Sequence, residues 1–272
     1  MDMLKLLRRN LNSKINIPQR LYQKILRTVI EYSSFFSVRG EIQDQLFRSL
    51  NLDRRMGIQK LDVVLKKLFS KAYNENDGMF SEHLILFSAI SASTLNIKNI
   101  LEIGTHDGRT ALILSSLFPT SDITSIDLPE GDPIFSNTYG RDDRLIEFIA
   151  ERNERLKLCK NVKQKAMNSV QLTLSDEGFD LIWIDGAHGY PVIAMDIVNA
   201  YRLSKPGAYV LIDDVYTKKL HSDSMYRSSG AFESLETLKF AGLIQGYYLF
   251  NKRLGSVFNS PSEKKFVALY IK

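Results

Sequence analysis

Short apolar runs, each closed by a glycine or an acid, recur through the chain from residue 99 onward. Asn99-Ile-Leu-Glu-Ile103 stops at Gly104, and Ile123-Thr-Ser-Ile-Asp-Leu128 passes through Asp127 into the turn Pro129-Glu-Gly-Asp-Pro133. Val162-Lys-Gln-Lys-Ala-Met167, more polar, looks like a third strand, while Phe179-Asp-Leu-Ile-Trp-Ile-Asp185 is a further apolar run and Ala208-Tyr-Val-Leu-Ile-Asp-Asp214 another. Runs of this length, rich in Ile, Leu and Val, predict strands buried on both faces. Between and after them, Ala111–Leu117, Arg144–Leu158 and Ser229–Ala241 have the composition of helices. Tyr247–Phe250 and Phe266–Ile271 bring the strand count to seven, with residues 252–261 as a hairpin linker. Strands alternating with helices predict an α/β fold with a mostly parallel sheet and helices on both faces.

Residues 1–74 have a different pattern. Leu4, Leu7, Leu11 and Ile15 recur at helical spacing, with Lys5, Arg8, Arg9 and Lys14 on other faces. Pro18 suits the first turn of a second helix, Gln19 to about Ser33, striped by Leu21, Ile25 and Val29. Leu61, Val64, Leu65 and Leu68 mark a third. The expected organisation is a helical extension over 1–74 and a catalytic domain over 75–272. Amphipathic stripes are mostly core, so a lid or a homodimer interface is the first reading. Peripheral contact with an anionic membrane is the second.

The segment Glu102-Ile-Gly-Thr-His-Asp-Gly108 sits where the first strand turns into a helix. A buried strand, a glycine turn and a helix N-terminus form a cradle for an adenosine-bearing cofactor. A dinucleotide fold needs Gly-x-Gly-x-x-Gly, and His106 stands at the middle glycine's place. A P-loop needs Gly-Lys-Ser/Thr, whereas Gly108 precedes Arg109 and Thr110. Asp127, about twenty residues beyond the loop, is placed to accept hydrogen bonds from ribose hydroxyls. Asn168-Ser169 reads as a cap after the third strand.

Parallel strands present their carboxyl ends along one edge, where ligands bind. That edge should gather Asp185, Asp213 and Asp214. Carboxylates so close raise one another's pKa unless a cation offsets them, and all-oxygen donors suit a hard divalent ion such as Mg²⁺, Ca²⁺ or Mn²⁺.

These motifs, Glu102-x-Gly104-x-x-x-Gly108, Phe179-Asp-Leu-Ile-Trp-Ile-Asp-Gly-Ala-His188 and Lys205-Pro-Gly-Ala-Tyr-Val-Leu-Ile-Asp-Asp214, resemble class I S-adenosylmethionine-dependent methyltransferases. The similarity is to the metal-dependent O-methyltransferases of the catechol and macrolide-sugar types, over roughly residues 78–272. It implies a Rossmann-like sheet whose last strand inserts antiparallel beside the fifth. It also implies cofactor contacts from Glu102, Gly104, Thr105, Asp107, Gly108, Asp127, Leu128, Met167, Asn168 and Asp185, and a metal held by Asp185, Asp213 and Asp214. The catechol type carries a basic lysine three positions after the first metal-binding acid. Here His188 occupies that place, and with Asp185 it is the expected catalytic pair, the imidazole serving as base. Phe80, Ser81 and Glu82 resemble the family's substrate-side approach to the domain.

Composition narrows the field modestly. A chain of 272 residues with 44% hydrophobic and 25% charged content can bury one large core. One cysteine, Cys159, excludes an intrachain disulfide framework and a cysteine zinc site. No run reaches the roughly twenty apolar residues of a membrane span. The N-terminus lacks the apolar core and cleavage site of a signal peptide, so a cytoplasmic location is expected. The charge of +5 invites a nucleic-acid reading, but the basic helices lack interleaved aromatics. Base N-methylating enzymes often carry Asn/Asp-Pro-Pro-aromatic after the fourth strand, where this chain has Asp185-Gly-Ala-His188. The expected activity is methyl transfer to a hydroxyl of a sugar, glycan or natural-product intermediate, with S-adenosylmethionine and a divalent metal. An RNA methyltransferase and a non-catalytic, cofactor-binding assembly subunit are the alternatives. Tyr216, Lys218, Lys219, His221, Asp223 and Tyr226 fall in a polar loop after the fifth strand, expected to cover the substrate.

Overall fold

The structure, a computed structural model, describes residues 38–74, 82–139, 144–174, 178–218, 224, 227–252 and 265–272. The two basic helices expected over 1–33, residues Phe80 and Ser81, the covering-loop residues Lys219, His221, Asp223 and Tyr226, and the hairpin tip lie outside them. Seven strands form one sheet: β1 (Asn99–Ile103), β2 (Asp122–Asp127), β3 (Val162–Ala166), β4 (Phe179–Ile184), β5 (Ser204–Tyr216), β6 (Tyr248–Asn251) and β7 (Lys265–Ile271). Their order is β3-β2-β1-β4-β5-β7-β6. The pairs from β3 to β5 are parallel, and β7 lies antiparallel to β5 and to β6. The chain moves outward from β1 to β3 and returns to β4 on the other side of β1. The sheet's switch point, where strand ends leave a crevice, therefore lies between β1 and β4.

Period-two alternation divides the core between two faces. Ile100, Leu181, Trp183, Tyr209 and Leu211 point into one cluster, while Leu101, Ile103, Ile182, Ile184, Val210 and Ile212 point into the other. The first face is covered by α2 (Arg54–Phe69), α3 (Glu82–Ala92) and α4 (Arg109–Leu117). Covering the second are α7 (Val192–Leu203) and α8 (Gly230–Phe240). Among the remaining helices, α1 is Val38–Ser49, α5 Pro133–Tyr139 and α6 Leu145–Lys157.

The described part of the extension shares the domain's core. Leu61 and Leu65 of α2 are fully buried in the cluster that contains Ile100 and Trp183. A Cβ on Gly57 would lie 2.8 Å from Ile85 O, so only glycine lets α2 approach α3 this closely. Asp53 caps α2 by accepting from Met56 N at 3.0 Å, and Arg54 pairs with the buried Glu82 at 2.6 Å. The sequence reading contains no α1, because that segment is mostly polar. Tertiary contacts hold it: Phe47 meets Phe250 edge-on at 5.4 Å. Gln43 donates to Asn251 O and accepts from Asn251 N, both at 3.2 Å, and so occupies backbone groups of the edge strand β6. Among the described residues, no helix is long and apolar enough to cross a membrane.

Strand β5 extends beyond the expected run at both ends. Gly207 lies within its span with φ 78° and donates to Lys272 O at 2.6 Å. Asn168 does cap the 3₁₀ turn after β3, Ser169–Leu174, accepting from Val170 N at 3.0 Å. Cys159 lies just past α6, and burial pushes its thiol up to about 11, which makes it a poor nucleophile.

Candidate active site

The loop from Gly104 to Gly108 is shaped by its backbone. Gly104, His106 and Gly108 all have positive φ, at 102°, 49° and 75°. A Cβ at Gly104 would sit 2.3 Å from Asp185 O, so the β1 and β4 ends meet backbone to backbone. Gly104 N and Thr105 N both donate to Ile126 O, and Asp185 N donates to Ile103 O. The loop thereby joins the ends of β1, β2 and β4.

Three acids surround this loop in different ways. Asp127 accepts from His106 N and from Leu128 N, each at 2.8 Å. Burial raises its pKa despite those amides. Asp107 caps α4 by accepting from Arg109 N at 3.0 Å and pairs with Arg155 at 3.2 Å. Burial alone would raise it, but the bonds from His106 and Arg109 and the Arg155 charge hold it at about 2. Glu102 lies deeper than the other two, outside the cavity lining. It shares the Ile100 face of β1, is fully buried, and accepts from Ser125 Oγ, which is itself 2.7 Å from Thr105 Oγ1. Burial pushes its pKa up to about 8, against the opposing pull of Ser125. It supports the loop from below.

A cavity of about 550 Å³ opens over the strand ends. Of the expected cofactor-side residues, Gly104, Thr105, Asp107, Asp127, Leu128, Met167, Asn168 and Asp185 line it, while Glu102 and Gly108 lie behind the wall. His83, His106, Asp196 and Lys252 also line it, and the sequence reading assigned none of them a role there.

At the β4–β5 end the same wall carries His188, Asp185 and Asp213. His188 Nε2 lies 3.5 Å from Asp185 Oδ1. Burial lowers the imidazole's pKa despite the nearby Asp213 and Asp214 charges. Its backbone is held by Ser228, whose Oγ donates to His188 O at 2.9 Å and accepts from Tyr190 N at 3.1 Å. Asp185 is raised well above the usual carboxylate range, by burial and by Asp213. One ligand atom from each of Asp185, His188 and Asp213 lies within 4.8 Å of the other two.

Asp214 does not join that group. It turns at φ 49° and accepts from Lys252 and Lys265, while Lys252 also donates to Asp213. Burial favours a neutral Asp214, but Lys252 and the other cations overcome it and hold its pKa far below normal. Asp213, Asp214 and Asp185 in turn raise Lys252 against its own burial, keeping it an ammonium. The cation offsetting the acids thus includes a lysine 38 residues from Asp214, at the end of β6. No local spacing in the sequence signals that pairing.

Residues 101–215 match the family model of a methyltransferase domain. Among curated proteins, none matches the chain. Among solved structures, a candidate O-methyltransferase from Klebsiella pneumoniae aligns at 17% identity, over 85% of this chain and 96% of that one, with a TM-score of 0.48. The O-methyltransferase TomG from Streptomyces achromogenes, involved in tomaymycin synthesis and solved with S-adenosylmethionine, aligns at 18% identity over 87% and 100%, with a TM-score of 0.45. The matched segment supplies β1 to β5 and most of the cavity wall. The chain is thus similar, over residues 101–215, to a methyltransferase domain, and that segment builds the first five strands of a sheet ordered β3-β2-β1-β4-β5-β7-β6.

Proposed function

We propose that the chain transfers the methyl group of S-adenosylmethionine to a hydroxyl oxygen of a sugar or other small natural-product intermediate. The observation that carries this is one cavity whose wall runs from the glycine loop to a half-buried imidazole 3.5 Å from a carboxyl group. The cofactor's chemistry suits the wall. Asp107 is held ionised and Asp127 is clamped by amides, so the loop end presents acids to the cavity. Acids favour a sulfonium-bearing ligand and oppose a pyrophosphate. The Asp213-Asp214 pair and Asp185-Gly-Ala-His188 support the sugar branch by resemblance.

Bound S-adenosylmethionine supplies an already activated methyl group. The chain's part is to align the acceptor and remove its proton. His188 is the base: its Nε2, on the cavity wall, takes the proton from the hydroxyl. Asp185, 3.5 Å from Nε2, stabilises the imidazolium that results.

A second reading rests on the donor set of Asp185, His188 and Asp213. Asp213 Oδ1 is buried without a hydrogen-bond partner among the described residues, an oxygen that a divalent cation would satisfy. Asp185, Asp213 and His188 would hold the ion, with Asp214 committed to its lysines. The ion would lower the pKa of an acceptor hydroxyl.

Calorimetry with S-adenosylhomocysteine and methyl-transfer assays on sugar, phenolic and RNA acceptors test the proposal. Micromolar cofactor binding, about −8 kcal/mol, with a methyl ether formed on a hydroxyl acceptor, is the expected result. Tighter binding of NAD, or methyl transfer to RNA bases alone, would overturn it. Cofactor binding without turnover on any acceptor would favour an assembly subunit. Transfer in excess chelator keeps His188 as the base; its loss, restored by Mg²⁺ or Mn²⁺, selects the ion-bound reading.

A further inference from the structure

The end of β6 brings a cation to the acids of the cavity. Lys252 donates through Nζ to Asp213 Oδ2 and to Asp214 Oδ1, and its backbone N donates to Lys265 O at 3.3 Å. The residue before it is fixed by α1, where Gln43 binds both backbone groups of Asn251 at 3.2 Å. Asp214 already has Lys265 at 2.5 Å, so its charge does not by itself call for Lys252. Nor does stability, because desolvation offsets most of the attraction within a buried ion pair.

The cavity supplies a reason. Lys252 lines it with Asp185, His188 and Asp213, and its side chain is 21% exposed against 6% for Asp213. An ammonium has three N–H donors. Two are committed to the carboxylates, and among the described residues the third has no acceptor. Asp213 is the shared acid: Lys252 holds one of its oxygens, and its candidate ligand atom lies within 4.8 Å of those of Asp185 and His188. A divalent ion among those atoms would stand one carboxylate away from a fixed positive charge, which repels it.

We propose that Lys252 is the resident cation of the site: its third N–H holds the reacting oxygen of the acceptor, and transfer proceeds without a divalent ion. This rests on the methyl-transfer reading above and decides against its ion-bound alternative. In the step, the hydroxyl proton passes to His188 Nε2 and the oxygen bonds to the methyl carbon. The carbon–sulfur bond breaks with its electron pair left on sulfur. Lys252 keeps its own proton, since two carboxylates stay bound to it, and steadies the charge gathering on the oxygen.

The test is Mn²⁺ binding, read by electron paramagnetic resonance, beside methyl transfer to the sugar or phenolic acceptor that the natural chain modifies. The natural chain should bind Mn²⁺ no tighter than about millimolar and keep full turnover in excess chelator. Lys252→Met keeps the stem and removes the charge, so it should bind Mn²⁺ about tenfold tighter or more. Its turnover should fall roughly a hundredfold while S-adenosylhomocysteine affinity changes less than about threefold. Lys252→Arg, which keeps a cation, should recover part of the turnover. Chelator-sensitive transfer by the natural chain, or tight Mn²⁺ binding to it that Asp213→Ala abolishes, would overturn the inference without any variant of Lys252 and leave the methyl-transfer reading intact. Normal turnover in a folded Lys252→Met would also overturn it. If S-adenosylhomocysteine does not bind at all, the methyl-transfer reading and the inference fall together.

Discussion

The two ends of the cavity are built from different materials. At the loop end, backbone carries the shape: three positive-φ residues, a contact between Gly104 and the Asp185 carbonyl that admits no side chain, and amides held by Asp127. At the β4–β5 end, charged side chains carry it, with Asp185, Asp213 and Asp214 set against Lys252 and Lys265. Both ends keep buried polar atoms without partners among the described residues: Glu102 Oε1 and Arg109 Nε at the loop, Asp213 Oδ1 and His188 Nδ1 at the other end. A surface shaped by backbone suits a constant ligand, and one shaped by charged side chains suits a variable one.

The largest expected effect breaks the loop end alone. Gly104→Ala forces a Cβ into Asp185 O and C, backbone atoms that cannot swing aside, at a φ that L-residues disfavour. It should lower stability by about 3 kcal/mol or more and remove measurable S-adenosylhomocysteine binding, read by denaturant unfolding and calorimetry. Retained binding would mean that the β1–β4 contact does not shape the pocket.

Next, His188→Ala should strike the opposite end. Turnover should fall by roughly a hundredfold, about 2.7 kcal/mol, while cofactor affinity changes less than about threefold. A parallel loss of cofactor binding would merge the two ends into one functional unit and undo the contrast.

A smaller effect concerns Glu102, beneath the loop, and is read through pH. Its carboxyl stays protonated in the fold up to about 8, whereas in the unfolded chain it ionises from about 4.5. The unfolded state therefore loses a proton first as pH rises, so this group's favourable contribution is complete below the unfolded pKa and disappears by about pH 8. Glu102→Gln cannot ionise and keeps an oxygen for Ser125. Relative to the natural chain it should gain on the order of 2 kcal/mol between pH 5 and pH 8 in urea unfolding. No change in the difference between those pH values would show that Glu102 is ionised in the fold.

Much of the fold was legible because its signals are local. Apolar runs closing on Gly104, Asp127, Asp185 and Asp214 located strands whose cores match those in the sheet. Asn168 was readable as a cap because capping needs only its own backbone neighbours. Helix α1 was not readable, since its register comes from Phe250 and from the β6 edge. Nor was Asp196: inside an amphipathic helix an acid reads as solvent-facing until the neighbouring turn encloses it.

By itself the sequence determined the α/β alternation, the glycine turn and the acids at the strand ends, because strand period, turn conformation and capping act over a few residues. Tertiary structure alone decided which of those acids stay open. It drew Lys252 across to Asp213 and Asp214, set His188 beside Asp185, placed Glu102 beneath the loop and enclosed Asp196. Those outcomes depend on charge pairing and burial between residues far apart in the chain, and both are properties of the packed molecule.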